Sequence, residues 1–151
     1  MSKLIIVVGL PGSGKTHYLN KLKSNGEVFG FYDDYQRLAY GKYREPRLSR
    51  HYGPLLSKLK KGKDMAISDI IYTRQANLRA VVKSVLAVLP ETVIELHYFE
   101  NSPKKAAANA RNRAREKTLE KELAFIKKHS PRYKVSKTKR LPVYPPPKPT
   151  K

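Results

Sequence analysis

A run of eight residues near the amino terminus, GLPGSGKT, carries the most specific chemical pattern in the chain. It fits the phosphate-binding pattern G-x-x-x-x-G-K-T, in which glycines let successive backbone N–H groups point at phosphate oxygens. The Lys15 ammonium would reach the β- and γ-phosphates, and the Thr16 hydroxyl would ligate Mg²⁺. The pattern therefore predicts a site for ATP, or another nucleoside triphosphate, together with Mg²⁺. The residues expected to form it are Gly9, Pro11, Gly12, Ser13, Gly14, Lys15 and Thr16.

Acidic residues follow the second and third apolar runs that resemble strands. Asp33 and Asp34 come after the second run, and Asp69 comes directly after the third. The carboxyl ends of parallel strands meet at one edge of a sheet, so these side chains are expected near the phosphate-binding loop. Asp33 is the predicted general base for a hydroxyl acceptor, and Asp69 is predicted to support Mg²⁺ directly or through the Thr16 hydroxyl. The alternative for each is a cap on the following helix or turn.

Arginines crowd the predicted helix that follows Asn101. Arg111 and Arg115 are four residues apart and share a helix face, whereas Arg113 points roughly the opposite way. Cationic side chains stabilise the charge of a transferred phosphoryl group, so the segment 101–116 is predicted to be a lid over ATP. Arg115, helped by Arg111, is the expected catalytic arginine, and Arg113 is a further candidate contact for the nucleotide. The alternative is a solvated basic surface.

The net charge indicates the kind of partner. The chain has 32 Lys and Arg against 12 Asp and Glu, which gives a formal net charge of +20. A protein that meets a polyanion gains affinity from such an excess, whereas an enzyme of free mononucleotides does not need it. The segment between Asp34 and Asp64 is basic and interleaved with tyrosines, so it is the predicted binding region for a nucleic acid strand. The candidate substrate contacts are Asp33, Asp34, Gln36, Arg37, Tyr43, Arg47 and Arg50. The alternatives are an effect on solubility and attraction to anionic membrane.

Length and composition limit the class of protein. At 151 residues the chain is expected to form one domain with a proper core. It has no cysteine, which excludes disulfides and thiolate metal sites, and its four histidines lack the spacing of metal ligands. Neither a signal peptide nor an apolar segment of membrane-spanning length is visible, so a soluble, cytoplasmic protein without membrane contact is expected.

The elements that must position these residues alternate between strand and helix patterns. Strands are predicted over 3–8, 28–31, 65–68 and 92–99. Helices are predicted over 15–24, from Asp33-Asp34 to about residue 40, over 48–61, over 73–89 with Thr73 as cap, from Pro103 through the arginines, and over 119–128. This order predicts an α/β fold of the P-loop kinase type, with a central parallel sheet of about four strands flanked by helices. The kinase domain is placed at 1–130, and 131–151 is a basic, Pro-rich tail expected to dock only at 141–144.

Assembled in order, these motifs resemble the 5′-polynucleotide kinase family of P-loop kinases, represented by the kinase domain of T-even bacteriophage polynucleotide kinase–phosphatase. The matching stretches are Pro11 to Thr16, Asp33-Asp34-Tyr35, Ile67-Ser68-Asp69, Arg111-Asn112-Arg113-Ala114-Arg115 and Leu141-Pro142-Val143-Tyr144. The resemblance covers nearly the whole chain. It implies that Asp33 is the general base and that Arg115 contacts the donor phosphates. It also implies a nucleic acid repair role for a viral protein in the host cytoplasm.

Three departures from the family's pattern have consequences. The family has an arginine after D-D-Y that holds the substrate phosphate, whereas this chain has Gln36 followed by Arg37. The spacing from Phe99 to the lid is longer than in the family if Arg115 is the equivalent arginine, which leaves Arg113 as a rival. No D-x-D-G-T motif occurs, so no 3′-phosphatase activity is expected.

The predicted activity is ATP-dependent phosphoryl transfer to the 5′-hydroxyl of single-stranded or end-exposed DNA or RNA. A kinase of nucleosides or other small molecules would share the same motifs except for the basic excess. A protein that binds nucleic acid and uses ATP only as a ligand is the third alternative.

Overall fold

Strands and helices alternate along the chain, as the sequence predicts. The computed structural model describes residues 2–33, 53–112, 116–135 and 140–141. The strands are β1 (Lys3–Val8), β2 (Gly30–Tyr32), β3 (Met65–Ser68), β4 (Val93–Phe99) and β5 (Arg140–Leu141). The helices of the described ranges are α1 (Lys15–Ser24), α2 (Gly53–Lys60), α3 (Gln75–Val88), α4 (Pro103–Asn112) and α5 (Glu116–His129). Short 3₁₀ turns occupy Ile70–Thr73 and Ser130–Arg132.

The strands form one parallel sheet in the order β2-β3-β1-β4-β5. The α/β class and the flanked parallel sheet are therefore confirmed. β1 lies in the middle, with Leu4 opposite Met65 of β3 and Ile94 of β4. It is apolar and almost wholly buried because both of its faces are covered. The fifth strand is only two residues long and pairs with Tyr98 and Phe99 at the end of β4.

The connections place helices on both sides of the sheet. The chain moves from β1 to β2 in one direction and from β2 through β3 to β4 in the other, so right-handed crossovers put α1 opposite the later helices. The connections that leave the neighbouring strands β1 and β3 therefore run on opposite sides of the sheet, which opens a crevice at the carboxyl end of β1, where the phosphate-binding loop begins. In open parallel sheets this crevice is where ligands bind.

The two faces of the sheet differ in how they are covered. We call the face packed by α2, α3, α4 and α5 the wide face, and it receives Leu4, Ile6 and Val8 of β1. The opposite face, which we call the α1 face, receives Ile5 and Val7. On the α1 face these residues pack with a smaller buried cluster: Leu19, Leu22, Val28, Ala66 and Phe99.

The second strand begins later than predicted, at Gly30 rather than at residue 28. The N–H groups of Glu27 and Val28 both donate to the carbonyl of Leu22, so these residues belong to the turn that ends α1. Gly26 in that turn has a φ of 73°, the left-handed conformation expected of Asn25-Gly26. The Val28 side chain is buried against α1, which explains its apolar character without a strand.

The prediction that Thr73 caps a helix is wrong. Thr73 ends the 3₁₀ turn that follows β3, and α3 begins at Gln75 with Arg74 in the cap position. The apolar residues of this predicted helix do face the core, with Leu78, Val81 and Val85 buried. The periodicity was therefore informative, whereas the boundary depended on a turn that periodicity does not reveal.

The other predicted boundaries hold or move slightly. Ser102 and Pro103 start α4 as expected, with the Ser102 hydroxyl accepting from the N–H of Lys105 at 3.4 Å. The fourth strand starts one residue late, at Val93, and α5 extends beyond the predicted 119–128 at both ends. Predictions for 34–52, 113–115 and 142–151 fall outside the described residues. In the part of the chain that is described, no helix is long and apolar enough to cross a membrane.

Candidate nucleotide-binding site

The loop between β1 and α1 turns into the helix through glycines with left-handed backbone conformations. Gly14 takes the cap position of α1 with φ 102° and ψ 21°, a left-handed conformation that favours glycine. Among the described residues no side chain caps this helix end, and its first residues include no acid. The first N–H groups of α1 and the positive end of its dipole are therefore directed at whatever binds beside the loop.

Lys15 bends back over its own loop. Its ammonium donates to the carbonyl oxygens of Gly9 and Leu10, both at 3.0 Å. These carbonyls hold the Lys15 ammonium within the curve of the loop. The side chain of Lys15 is flexible, so the ammonium can turn toward a phosphate. The position agrees with the predicted role of Lys15 at the β- and γ-phosphates.

The Thr16 hydroxyl donates to Oδ2 of Asp33, so the predicted metal ligand touches the predicted general base. This contact joins the start of α1 to the residue directly after β2. Mg²⁺ prefers oxygen ligands and usually combines one or two protein oxygens with substrate phosphates and waters. The hydroxyl and carboxylate at this position fit such an ion. The sequence had assigned the carboxylate beside Thr16 to Asp69, whereas the hydrogen bond is made to Asp33.

Asp69 is fully buried at the end of β3. Its Oδ1 accepts the N–H of Ile71 at 3.1 Å and so caps the following 3₁₀ turn. The preceding residue, Ser68, donates to the carbonyl of Val7 at 2.9 Å, which ties the ends of β3 and β1 together. One Asp69 oxygen therefore serves the structural alternative raised by the sequence, and its role toward Mg²⁺ stays a prediction. Among the described residues no group of three or more His, Asp or Glu could hold a metal ion by itself.

The described part of the predicted lid packs directly on the loop. Asn109 of α4 is buried, and its amide donates to the carbonyl of Gly12 at 3.0 Å. Gly12 has φ 81°, and a Cβ at this position would overlap the carbonyl oxygen of Ala106. Arg111 lies exposed near the end of α4.

Tyr133 supports the strand ends from which the loop departs. It is buried, and its hydroxyl contacts the carbonyl oxygens of Val8, at 3.1 Å, and of Phe99. Burial raises the pKa of the Tyr133 hydroxyl, and so does its proximity to Tyr98. The amide of Asn101 donates to the carbonyls of Ser130 and Tyr133, at 2.8 and 3.1 Å, and holds this segment against the site. The expectation that the tail docks only at 141–144 is therefore wrong, because Tyr133 lies in this tail and is buried against the strand ends.

A polar group within the α1 face anchors α1 to the sheet. The Tyr18 hydroxyl and Nδ1 of His97 lie 2.5 Å apart, and the Tyr18 ring packs edge-on against Phe99. Burial raises the pKa of Tyr18 to about 12, with smaller contributions from Glu27 and Glu95. His97 is 2 % exposed, and its Nε2 lies 3.8 Å from Glu95. The helix that presents Lys15 and Thr16 is therefore fixed by a hydrogen bond as well as by apolar packing.

The structure brings together Gly9 to Thr16 and Asp33, and it places Asp69 at the same edge of the sheet. Several other candidates fall outside the described residues: Asp34, Gln36, Arg37, Tyr43, Arg47, Arg50, Arg113 and Arg115. Sequence reasoning missed Asn109, Tyr133 and His97, because each acts through a partner far away in the chain. His97 lies within a mostly apolar strand and Asn109 follows three alanines, but neither pattern names a partner, and Tyr133 between Arg132 and Lys134 gives no signal.

Comparison with known proteins supports the fold. No protein-family model and no curated protein sequence matches this chain. Among solved structures, an uncharacterized protein from Eubacterium ventriosum ATCC 27560 is similar, with a TM-score of 0.52 and 12 % sequence identity. The match covers 93 % of this chain and 88 % of the other protein. At this identity the similarity concerns the fold alone.

Proposed function

We propose that this chain is a kinase that transfers the γ-phosphoryl group of ATP to the 5′-hydroxyl of a DNA or RNA strand. The observation that carries the proposal is the hydrogen bond between Thr16 and Asp33. It places a carboxylate from the end of β2 beside the hydroxyl that, in the phosphate-binding pattern, ligates Mg²⁺ next to the γ-phosphate. A nucleotide-binding loop needs no such neighbour to bind ATP, whereas phosphoryl transfer to a hydroxyl benefits from one.

Donor binding follows from the loop. The N–H groups at the start of α1 and the Lys15 ammonium would bind the β- and γ-phosphates, exchanging the carbonyls of Gly9 and Leu10 for phosphate oxygens. Thr16 would hold Mg²⁺, which when bound neutralises charge on the phosphates. Backbone N–H groups and the Lys15 ammonium would line this phosphate site. They would stabilise the negative charge that spreads over the transferred phosphoryl group.

Acceptor activation is assigned to Asp33. Its carboxylate would take the proton of the 5′-hydroxyl as the 5′-oxygen forms a bond to the γ-phosphorus. The bond between that phosphorus and the bridging oxygen of ADP breaks, and ADP leaves with the electron pair. Arg111 and Arg115 are proposed to stabilise the transferring group, and the acceptor strand is proposed to lie along the basic segment after Asp34. The net charge of +20 supports a polyanionic acceptor.

The direct test uses γ-labelled ATP, Mg²⁺ and matched DNA and RNA oligonucleotides that bear a 5′-hydroxyl, beside a panel of nucleosides. Label at the 5′ end of the oligonucleotide is expected. The KM for the oligonucleotide should rise steeply with salt concentration. The slope of log affinity against log salt should be about −0.7 for each phosphate that the protein contacts. Label only on nucleosides would identify a small-molecule kinase. ATP binding with no transfer to any acceptor would identify a binding protein.

The role of Asp33 has its own test. Asp33→Asn keeps an oxygen that can accept the Thr16 hydroxyl, so ATP binding should persist while turnover falls on the order of a hundredfold. Glu91→Gln, which removes an exposed acid remote from the loop, is the matched control and should leave turnover unchanged. Normal turnover in Asp33→Asn would remove Asp33 from the mechanism.

A further inference from the structure

One surface of α4 is shaped to fit the phosphate-binding loop. Ala106, Asn109 and Ala110, at helical spacing, are 0 %, 4 % and 1 % exposed. A Cβ added at Gly12 would overlap the carbonyl of Ala106 and stand 3.3 Å from the backbone nitrogen of Ala110. The loop and the helix backbone are therefore in direct contact, with no room for a side chain between them.

Asn109 supplies the polar link across this contact. Its Nδ2 donates to the carbonyl of Gly12 at 3.0 Å, and the N–H of the same peptide unit, from Ser13, donates to the carbonyl of Leu10 at 3.1 Å. Both polar groups of the peptide between Gly12 and Ser13 are thus held by the protein. A peptide fixed at both ends cannot rotate freely, so the N–H groups that follow it keep one orientation.

We propose that Asn109 is a positioning residue that holds the phosphate-binding loop in its ATP-binding conformation. The proposal rests on ATP binding at this loop, as argued above. Fixing a loop in advance lowers the entropy lost when the ligand binds, so the hydrogen bond to Gly12 contributes to affinity without touching the nucleotide. Helix α4 is then coupled to the loop through this hydrogen bond, and the placement of Arg111 near its end depends on the same contact.

The first experiment compares Asn109→Ala with Asn112→Ala. Asn112 is an exposed asparagine on the same helix, so the pair controls for loss of an amide and for helix propensity. We expect the Kd for ATP, measured by displacement of a fluorescent ATP analogue, to rise about tenfold in Asn109→Ala. Asn112→Ala should match the wild type. In oligonucleotide phosphorylation the loss should fall mainly on KM for ATP rather than on kcat.

The second experiment uses the isosteric variant Asn109→Asp at several pH values. A protonated carboxyl group can still donate to the Gly12 carbonyl, whereas an ionised one faces that carbonyl with two acceptors and places a negative charge near the phosphates. The Kd for ATP of Asn109→Asp, relative to the wild type at the same pH, should therefore fall toward unity as the pH is lowered. The nearly isosteric Asn109→Leu separates the two roles, because it fills the same space without a donor or a charge. The positioning role predicts that Asn109→Leu loses about as much ATP affinity as Asn109→Ala, whereas a role confined to packing predicts a Kd like that of the wild type.

The outcomes separate the two proposals. If the wild type binds ATP and Asn109→Ala and Asn109→Leu bind it equally well, the positioning role is overturned. If Asn109→Ala fails to fold, the Kd for ATP of Asn109→Leu decides. If the wild type binds ATP but transfers no phosphoryl group, the proposed kinase activity fails while the role of Asn109 is still measured by Kd. If the wild type binds no ATP, both fail.

Discussion

The two faces of the sheet share the same strands but hold different kinds of contact. On the wide face, helices α2 to α5 cover an extended apolar cluster that includes Leu55, Tyr72 and Val85. On the α1 face, α1 is the one helix of the described ranges that covers the smaller cluster, and it also makes the Tyr18–His97 hydrogen bond. Burial of apolar surface is the main source of stability, so the wide face contributes most of it. The α1 face contributes less, and it alone carries the helix that presents Lys15 and Thr16.

If ATP binds as proposed, stability and nucleotide binding are supported mainly by different sides of one sheet. The phosphate-binding loop lies where the sides meet, with α1 leaving on one side and Asn109 of α4 contacting it from the other. Substitutions in the wide-face cluster away from Asn109 and Tyr133 should lower stability and leave ATP affinity alone. Substitutions on the α1 face should change both.

The largest effect is expected where the two faces meet. Lys15→Ala should lower the rate of phosphoryl transfer by about a hundredfold to a thousandfold, because one charge on the transferred group loses its partner. The free energy of unfolding should hardly change, because Lys15 is only partly buried and water can replace its hydrogen bonds to the carbonyls of Gly9 and Leu10. Lys21→Ala, an exposed lysine on the same helix, is the control. Equal losses in both variants would indicate a general effect of charge rather than a site.

The next effect compares matched deletions in the two clusters. Leu55 in α2 and Leu19 in α1 are both fully buried. Each Leu→Ala change should lower the free energy of unfolding by about 2–5 kcal/mol, measured by urea denaturation, because it leaves a cavity. Only Leu19→Ala should also raise the Kd for ATP, because α1 would shift. An equal change in ATP affinity in the two variants would break the division between the faces.

A smaller effect is expected from removing one hydroxyl on each side. Tyr133→Phe takes a donor from the carbonyls of Val8 and Phe99, and Tyr18→Phe takes a partner from His97. Each should lower the free energy of unfolding by about 1 kcal/mol, with Tyr133→Phe the larger because its site is more deeply buried. Thermal unfolding of the two variants and of the wild type measures these differences in stability. If Tyr133→Phe or Tyr18→Phe were more stable than the wild type, the hydrogen bond that the substitution removes would not be favourable.

The smallest effect concerns alkaline pH. The pKa of Tyr18 is raised from 10.0 to about 12, so the folded state favours the neutral hydroxyl. The resulting stability is fully present below pH 10 and is lost as the pH rises toward about 12. Over that window the free energy of unfolding should decline more steeply in the wild type than in Tyr18→Phe. Because burial also raises the pKa of Tyr133, the two single variants should both flatten the profile. Superimposable profiles would contradict the burial of these hydroxyls.

What the sequence predicted well has its cause within a few residues. The strand–loop–helix unit from Lys3 to Ser24 follows from an apolar run, a phosphate-binding pattern and an Asn-Gly end signal that are adjacent in the chain. Ser102 and Pro103 likewise mark the start of α4 by local chemistry. The parallel sheet follows from the alternation of these units.

What the sequence did not predict depends on partners that are distant in the chain. Asn109 is separated from Gly12 by 97 residues, and Tyr133 from Val8 by 125. No periodicity or cap signal indicates such a pair, because the two residues meet only when the strands have assembled in their final order. The presence of Asp33 rather than Asp69 beside Thr16 has the same origin, since both acids follow neighbouring strands and the local sequence does not distinguish them.

The Tyr133 contact also sets an order of events during synthesis. The ribosome releases the chain from its amino terminus, so β1 and the phosphate-binding loop emerge before the residues that follow them. The tyrosine that contacts the end of β1 follows 125 residues later. A nascent chain that already exposes GLPGSGKT therefore lacks the hydroxyl that bonds the carbonyl of Val8. The contacts around this motif are completed only after a segment far along the chain has been translated.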